Sequence, residues 1–368
     1  MPNAVANGGD FLLYGATGYT GELIARRAAA AGLRQVLAGR RADAVAALAS
    51  ELGLPHRAAD VDDHAALDAA LRAARGDHHG RLVLNCAGPF SRTARQMMDA
   101  CFRAGAHYLD ITGEIGVFET MFAHGADAVH AGVMLLPGVG FDVVPSDCLA
   151  AHVARRLPSA TRLVIAIAGI GRPSRGTALT SLQHVGDGGA VRRHGRIVRV
   201  PSAWKTRTVD FGTGRPRRVT TMPWGDVATA YHSTGIPSVE VYMTVPRSLG
   251  RLMRWGRPIL PLLAAAPVQR WLAARVRRGP PGPTAEERER GASRFWAEAS
   301  DDAGGRAAAR LFGPEGYELT VRTAMECVRR VLRGDARPGF RTPSRAFGPD
   351  MVLAVEGVRR EDVAQGGA

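Results

Sequence analysis

Short apolar runs alternate with longer amphipathic stretches from residue 11 to about residue 137. The apolar runs, which predict buried strands, lie at 11–14, 35–38, 82–84, 106–109 and 133–136. The stretches with helical spacing of apolar positions lie at 22–31, 42–52, 64–74, 93–104 and 118–130. Regular alternation of strand and helix predicts a Rossmann-type doubly wound α/β fold, with a parallel sheet and helices on both faces.

The pattern changes after Asp147. A helix is predicted at 148–156, followed by strands at 162–167, 196–200 and 238–243 that glycine and proline turns separate. This indicates a second, mostly antiparallel α+β domain at 148–316. Helical spacing returns at 317–332. We therefore expect a first domain at 1–147 and an inserted second domain, with the C-terminal helix and tail at 317–368 packing back on the first.

The segment between the first predicted strand and the first predicted helix is rich in glycine. It consists of Gly15, Ala16, Thr17, Gly18, Tyr19, Thr20 and Gly21. In such a turn the first glycine permits a tight reversal and the second lets the backbone approach a pyrophosphate, while the amides at the helix start face the phosphates. The position between strand and helix predicts a dinucleotide-binding turn rather than a turn without a ligand.

The end of the second predicted strand indicates which dinucleotide binds. Arg40 and Arg41 stand where an NAD-selective enzyme usually places an acidic residue. A guanidinium group can pair there with the additional ribose phosphate, so we predict NADP(H). The other residues expected at the cofactor are Asp60 and Val61 near the adenine, and Ala87, Gly88, Pro89 and Phe90 near the nicotinamide.

Composition narrows the class of protein. A chain of 368 residues with 46% hydrophobic and 22% charged residues is long enough for two folded domains. The net charge is +14, but the arginines are scattered and aromatic residues make up only 6%, so we expect no nucleic-acid partner. The four cysteines show no metal-ligand spacing, which predicts no metal site. The first ten residues show no secretory pattern, and we expect a cytoplasmic protein.

One basic, apolar stretch lies between Leu249 and Pro283. Three arginines precede and four follow an apolar run at 259–267, which is too short to span a bilayer. With Trp255 and Trp271 as interfacial anchors, it could lie on an anionic membrane surface or cover an active site. An ordinary pair of surface helices is the alternative, and the sequence leaves a homodimer open.

Five segments together resemble one family. Besides the glycine turn they are 38–40 (Ala-Gly-Arg), 85–90 (Asn-Cys-Ala-Gly-Pro-Phe), 108–114 (Tyr-Leu-Asp-Ile-Thr-Gly-Glu) and 138–147 (Gly-Val-Gly-Phe-Asp-Val-Val-Pro-Ser-Asp). The chain is thereby similar to the saccharopine dehydrogenase-like NAD(P)-binding oxidoreductases, which include trans-acting enoyl reductases. The match is dense over about the first 150 residues and thin over the second domain, where substrate choice would be made.

An oxidoreductase of this kind needs a proton donor beside the hydride. The candidates at the predicted strand ends are Tyr108, Asp110, Glu114 and Asp142. Each has a structural alternative, since loop carboxylates often cap helices or hold turns, and a tyrosine often packs in the core. A short-chain dehydrogenase mechanism needs Tyr and Lys four residues apart, but Lys205 is the only lysine and has Pro201 at that spacing.

The sequence therefore predicts an NADPH-dependent reductase of a C=C bond in an unsaturated, acyl-like or small-molecule substrate. Reduction of a C=N bond in an amino-acid-like substrate is an alternative, which the abundance of arginine permits without selecting. A protein that binds NADP as a sensor without turnover is an alternative from a different class. Tyr231 and His232 of the second domain are further, weaker candidates for the site.

Overall fold

A computed structural model describes residues 10–74, 81–169, 171–183, 186–255 and 265–364. Within these ranges the chain forms two compact units. Residues 10–140 and 320–342 form the first, and residues 141–319 and 343–364 form the second. The chain thus leaves the first unit after residue 140, returns to it for residues 320–342, and leaves it again to end in the second.

The first unit contains a seven-stranded sheet. Numbered along the whole chain, its strands are β1 (Phe11–Tyr14), β2 (Gln35–Gly39), β3 (His56–Ala58), β4 (Arg81–Asn85), β5 (Ala106–Asp110), β6 (Met134–Leu136) and β15 (Gly339–Phe340). Their order is β15-β6-β5-β4-β1-β2-β3, and every pairing is parallel. Strand β1 is buried along its whole length, as expected for a central strand covered on both faces.

The helices of the first unit follow its strands. They are α1 (Tyr19–Ala30), α2 (Ala42–Leu52), α3 (His64–Ala73), α4 (Phe90–Ala104), α5 (Ile115–Ala123) and α6 (Gly125–His130). Local signals set several ends: the Asp63 side chain accepts a hydrogen bond from the Ala66 amide at the start of α3, and Gly53 and Gly105 end α2 and α4 in the left-handed conformation. The helix predicted at 118–130 is two helices, which meet at His124.

The second unit is built on a mixed sheet of nine strands. They are β7 (Arg162–Ala168), β8 (Gly189–Arg193), β9 (Arg196–Val200), β10 (Thr206–Val209), β11 (Arg217–Thr221), β12 (Ser238–Met243), β13 (Ala292–Ser300), β14 (Arg306–Pro314) and β16 (Arg359–Val363). The main order is β10-β11-β12-β7-β13-β14-β16, and β8 pairs with β12 and β9. Strands β12 and β7 are parallel, and the other pairings are antiparallel.

The remaining helices begin with α7 (Val144–Arg156), which packs on α9, β13 and β14 of the second unit. The others are α8 (Arg175–Gln183), α9 (Asp226–Thr234), α10 (Arg247–Trp255), α11 (Ala266–Arg278), α12 (Ala285–Arg290), α13 (Gly316–Leu332) and α14 (Pro343–Phe347), with a 3-10 helix at Met351–Ala354. None of the helices in the described ranges is long and apolar enough to cross a bilayer.

The grouping of the C-terminal tail differs from the expectation from the sequence. The tail at 317–368 was expected on the first domain, but from residue 343 onward it is grouped with the second unit, because β16 adds to the edge of β14. Only 320–342, with strand β15 beside β6, joins the first unit. The central part of the basic apolar stretch, residues 256–264, lies outside the described residues.

Candidate cofactor and active site

The glycine turn reverses the chain between β1 and α1. Gly15 has φ of +79°, a conformation that glycine adopts without strain. A Cβ atom at Gly15 would lie 2.7 Å from the Ala87 amide nitrogen, and one at Gly21 would overlap the Gly15 carbonyl oxygen. The first glycine is thus required for packing of the turn against the chain that follows β4, and the third for packing of α1 against the turn. Gly18, the exposed N-cap of α1, has no side chain to cover the helix start.

Arg41 contacts the glycine turn directly. Its Nη2 atom donates to the Thr17 carbonyl oxygen at 3.2 Å and to Thr17 Oγ1 at 3.1 Å. Arg40 follows the last residue of β2, and both arginine side chains are exposed. Two guanidinium groups therefore lie where a ribose phosphate is expected, one of them hydrogen-bonded to the glycine turn.

The residues expected near the adenine lie just beyond β3. Asp60 is exposed, and its Oδ1 atom accepts a hydrogen bond from the Asp62 amide at 3.1 Å. Val61 packs at the edge of the first unit's core. The neighbouring Ala59 carbonyl accepts from the Tyr14 hydroxyl at 3.2 Å, and burial with nearby Asp60 raises the pKa of Tyr14 to about 12. Hydrogen bonds within the first unit therefore hold the chain that follows β3 in place.

Residues 85–90 form an ordered loop after β4. The buried Asn85 accepts the Ala87 amide at 3.0 Å through Oδ1, and the Thr93 hydroxyl donates to the Ala87 carbonyl oxygen at 2.7 Å. Ala87 and Pro89 are partly exposed and Gly88 is exposed, so the loop surface stays open. The side chain of Phe90 turns into the core.

Tyr108 and Asp110 lie two residues apart on β5 and are wholly buried. The Tyr108 hydroxyl donates to Asp110 Oδ2 at 2.6 Å. The amides of Thr112 and Gly138 donate to Asp110 Oδ1 at 3.0 and 2.8 Å. Burial raises the pKa of Asp110 to about 6, although these three hydrogen bonds oppose the shift. Burial also raises the pKa of Tyr108 well above 10. Both groups are occupied in joining the loops that follow β5 and β6.

Glu114 caps a helix that begins earlier in the chain. Its Oε1 atom accepts the Phe90 amide at 2.7 Å, and its Oε2 atom accepts the Ser91 amide at 2.9 Å. Both amides lie at the start of α4, where no side-chain cap is present at Pro89. A carboxylate is favoured there by the unpaired amides and the helix dipole. Glu114 thus holds the end of the 85–90 loop in place at the start of α4.

Asp142 differs from the other three candidate acids. It belongs to the second unit, and its carbonyl oxygen accepts from Trp224 Nε1 at 2.9 Å. Among the described residues no hydrogen bond occupies its carboxyl group, and the side chain is partly exposed. Desolvation of its carboxyl group by the surrounding protein raises the pKa of Asp142 to about 7. An acid with this pKa can donate a proton near neutral pH.

The second unit also holds two buried acids that sequence reasoning did not single out. Asp226 Oδ2 accepts from the Ser146 hydroxyl at 3.0 Å, whereas Oδ1 is buried without a partner in the described structure. Burial, with the charges of Asp147 and Asp142, raises the pKa of Asp226 well above its usual value. Asp147 accepts the Ser344 amide at 2.7 Å and also pairs with Ser233. Asp147 ends the segment 138–147 that carries the family resemblance, whereas no pattern in the sequence marks Asp226.

The two further candidates, Tyr231 and His232, lie in the second unit, and Cys86 lies in the 85–90 loop. Burial raises the pKa of Cys86, which makes the thiol a poor nucleophile. The Arg192 guanidinium lies 4.4 Å from the centre of the Tyr231 ring, and His232 is buried beside it. Across the described ranges, no group of three or more His, Cys, Asp or Glu residues is arranged to hold a metal ion.

These residues fit NADP(H). The open start of α1 at Gly18 suits a pyrophosphate, and Arg40 with Arg41 suits the ribose phosphate. Residues 11–136 match the family model of the saccharopine dehydrogenase NADP binding domain, which confirms the predicted cofactor and the resemblance seen in the motifs.

Two curated relatives are trans-acting enoyl reductases. The one from Mycobacterium tuberculosis is 34% identical over 161 residues, and the one from Mycobacterium leprae is 32% identical over 156 residues. Each alignment covers 40% of this chain and 36% of the relative, so the chain matches about a third of their length.

A solved structure shares the fold of nearly the whole chain. The apo saccharopine dehydrogenase (L-Glu forming) from Saccharomyces cerevisiae aligns with a TM-score of 0.65 and 13% identity, covering 97% of this chain and 100% of that one. This likeness confirms the predicted fold class, a parallel Rossmann-type sheet with a second α+β unit.

Proposed function

We propose that this protein is an NADPH-dependent oxidoreductase that reduces a C=C bond in an enoyl or other acyl-like substrate. The match of residues 11–136 to an NADP binding domain supports the cofactor. The alignment with trans-acting enoyl reductases, at 34% identity over 161 residues, supports the bond that is reduced and carries the proposal.

When bound, NADPH supplies a hydride, and the protein must hold the cofactor and provide a proton. Arg40 and Arg41 would pair with the ribose phosphate, and the start of α1 would face the pyrophosphate. The 85–90 loop, fixed by Asn85 and Glu114, would give the nicotinamide a rigid surface. Rigid placement of this kind lowers the entropy cost of bringing the two reactants together.

Asp142 is the proton donor in this proposal. Its carboxyl group has a pKa of about 7 and no competing hydrogen bond in the described structure. In the sequence Asp142 lies four residues after Gly138, whose amide donates a hydrogen bond to Asp110. Tyr108, Asp110 and Glu114 act as positioning residues, because every one of their polar side-chain atoms is occupied within the first unit.

A module that binds NADP without turnover is the second candidate. The observation that favours it is the engagement of three of the four predicted acids in internal hydrogen bonds. It predicts similar affinities for NADPH and NADP⁺ and no transfer of hydride to any acceptor.

The test is NADPH consumption with 2-enoyl thioesters of increasing chain length, alongside titration with NADPH and NADP⁺. Turnover that rises with chain length, is lost in Asp142→Asn and is retained in Asp335→Asn supports the reductase. Asp335 is an exposed aspartate and serves as the matched control. Tight, equal binding of both nucleotides without turnover supports the binding module. Turnover only with imines, formed from an amino acid and a carbonyl compound, would show that the protein reduces a C=N bond rather than a C=C bond.

A further inference from the structure

We propose that helices α10 and α11 of the second unit bind an anionic membrane surface. This inference is independent of the reaction above. It depends on the charge, the exposed apolar side chains and the shape of these two helices.

The charge of this segment has one sign only. Helices α10 and α11 together contain seven arginines and neither aspartate nor glutamate. Clusters of about four to eight lysines or arginines on amphipathic helices are typical of segments that bind anionic lipid headgroups. An anionic leaflet is uniformly negative and attracts a segment without acids most strongly. The charge pattern therefore favours a membrane over a protein.

Large apolar side chains are exposed between these arginines. Leu249 is 44% exposed, and Leu252 and Trp271 are each 63% exposed. Helix α11 has no buried residue. Exposure of leucine and tryptophan beside arginine is typical of helices that lie in the plane of a membrane interface, where the indole settles among the headgroups.

Helix α11 carries a shallow site that suits a lipid headgroup. Trp271, Arg275 and Arg278 follow one another at four- and three-residue spacing, which places them along one face. With Ala274 and Gly279 they line a groove of about 460 Å³. Among the described residues, neither Arg275 nor Arg278 has an ion pair or side-chain hydrogen bond. Two unpaired guanidinium groups beside an indole fit a phosphate on an apolar chain.

The hydrogen bond that joins α11 to α8 uses a backbone carbonyl group rather than a groove side chain. Helix α11 contacts α8, and Arg175 donates through Nη1 to the Arg277 carbonyl oxygen at 3.2 Å. The groove side chains can therefore be changed without disturbing a core. Substitutions there are expected to leave folding and NADPH binding intact.

The experiment is cosedimentation of the full chain with vesicles of phosphatidylcholine alone or mixed with phosphatidylglycerol. We expect binding to the mixed vesicles only, weakened by salt. Arg275→Gln with Arg278→Gln should lower the partition coefficient about thirtyfold, from two basic residues at the surface. Trp271→Ser should lower it about tenfold through lost apolar burial. The matched control is Arg215→Gln with Arg217→Gln, two exposed arginines elsewhere in the second unit.

Three outcomes would overturn the proposal. The first is the absence of binding to anionic vesicles at low salt. The second is an equal loss in the control pair, which would make the attraction a property of net charge. The third is unchanged vesicle binding in Trp271→Ser together with saturable binding of a soluble acidic protein, which would make the segment a protein-docking site. Unchanged circular dichroism and NADPH affinity establish that each variant is folded.

Discussion

The hydroxyl of Tyr108 donates a hydrogen bond of 2.6 Å to Asp110 Oδ2, and both side chains are fully buried on strand β5. The other oxygen of Asp110 receives two backbone amides, from the loops after β5 and β6. A buried carboxyl group thus ties together the two loops that follow neighbouring strands of the first unit.

This pair predicts a pH dependence of stability. Burial raises the pKa of Asp110 to about 6, above the value of about 4 for an aspartate in the unfolded chain. Its contribution to the free energy of unfolding is therefore fully present below about pH 4 and is lost as the pH rises through about 6. The loss amounts to about 3 kcal/mol in the free energy of unfolding. Urea unfolding at several pH values should show that Asp110→Asn removes this component. Tyr108→Phe should shift this pH-dependent loss of stability to higher pH, because the hydrogen bond from Tyr108 lowers the pKa of Asp110.

Tyr242→Phe is the matched control for that experiment. Tyr242 donates to Glu240 at 2.5 Å, also two residues away on a strand, but in the second unit. It should leave the Asp110 component unchanged. An identical pH dependence in the wild-type protein and in Asp110→Asn would contradict the assignment.

Glu114 is expected to behave as a helix cap. In Glu114→Gln one of the two carboxylate oxygens becomes an NH₂ group that faces a backbone amide, which should cost about 1–3 kcal/mol of stability. Because the 85–90 loop is then less ordered, the Kd for NADPH should rise. Thermal unfolding and NADPH titration measure both effects, with the exposed Glu286→Gln as control. A loss of kcat with unchanged stability and Kd would instead indicate direct catalysis.

The first sheet could be predicted because its strands are short apolar runs and its helices have clear amphipathic spacing. Helix α2 was predicted with the ends that the structure shows, Ala42–Leu52. Strands β13 and β14 were missed, although each has nine residues. Alanine fills many of their inward positions, so the alternation is weak, and alanine also favours helix. Strand β16 consists mainly of charged residues at an edge and carries no apolar signal.

The candidate site was predicted only in part. The glycine turn and the arginine pair follow from local sequence. The contact of Tyr108 with Asp110 could also have been inferred, since alternate residues on a strand share a face. Glu114 caps a helix that starts twenty-four residues earlier, and Asp226 meets Ser146 across eighty residues. Such pairings depend on tertiary packing, which no local pattern encodes.

The two arginines after β2 should have separable effects on cofactor choice. Arg40→Gln should weaken NADPH binding about ten- to hundredfold, the range for a lost charged hydrogen bond, and leave NADH affinity unchanged. Arg41 also holds Thr17 in the turn, so Arg41→Gln should weaken both nucleotides. Fluorescence titration with each nucleotide measures the difference, with Arg72→Gln in α3 as control. Unchanged NADPH affinity in both variants would show that the ribose phosphate binds elsewhere.

Gly21 should be intolerant of a side chain. The added methyl of Gly21→Ala overlaps the Gly15 carbonyl oxygen, so the turn or α1 must shift, at a cost of about 1–3 kcal/mol and with weaker NADPH binding. Gly116 in α5 has open space at its Cβ position. Gly116→Ala is therefore the control and should stabilise the protein by about 0.5–1 kcal/mol. Equal unfolding midpoints for the two variants would refute the close approach of Gly21 to Gly15.

Asp142 gives the proposed reductase a characteristic pH profile. A general acid must be protonated to act, so kcat/KM should fall as the pH rises through about 7, the raised pKa of Asp142. Asp142→Asn cannot donate this proton, and its rate should be lower by about 10²- to 10⁴-fold and independent of pH in that range. NADPH affinity should not change, because the substitution removes no contact to the glycine turn or to Arg40 and Arg41. Asp335→Asn should keep both the rate and the profile. A variant at Asp142 that retained the wild-type pH dependence would assign the proton to another group, and the buried Asp226 would then be the next residue to replace.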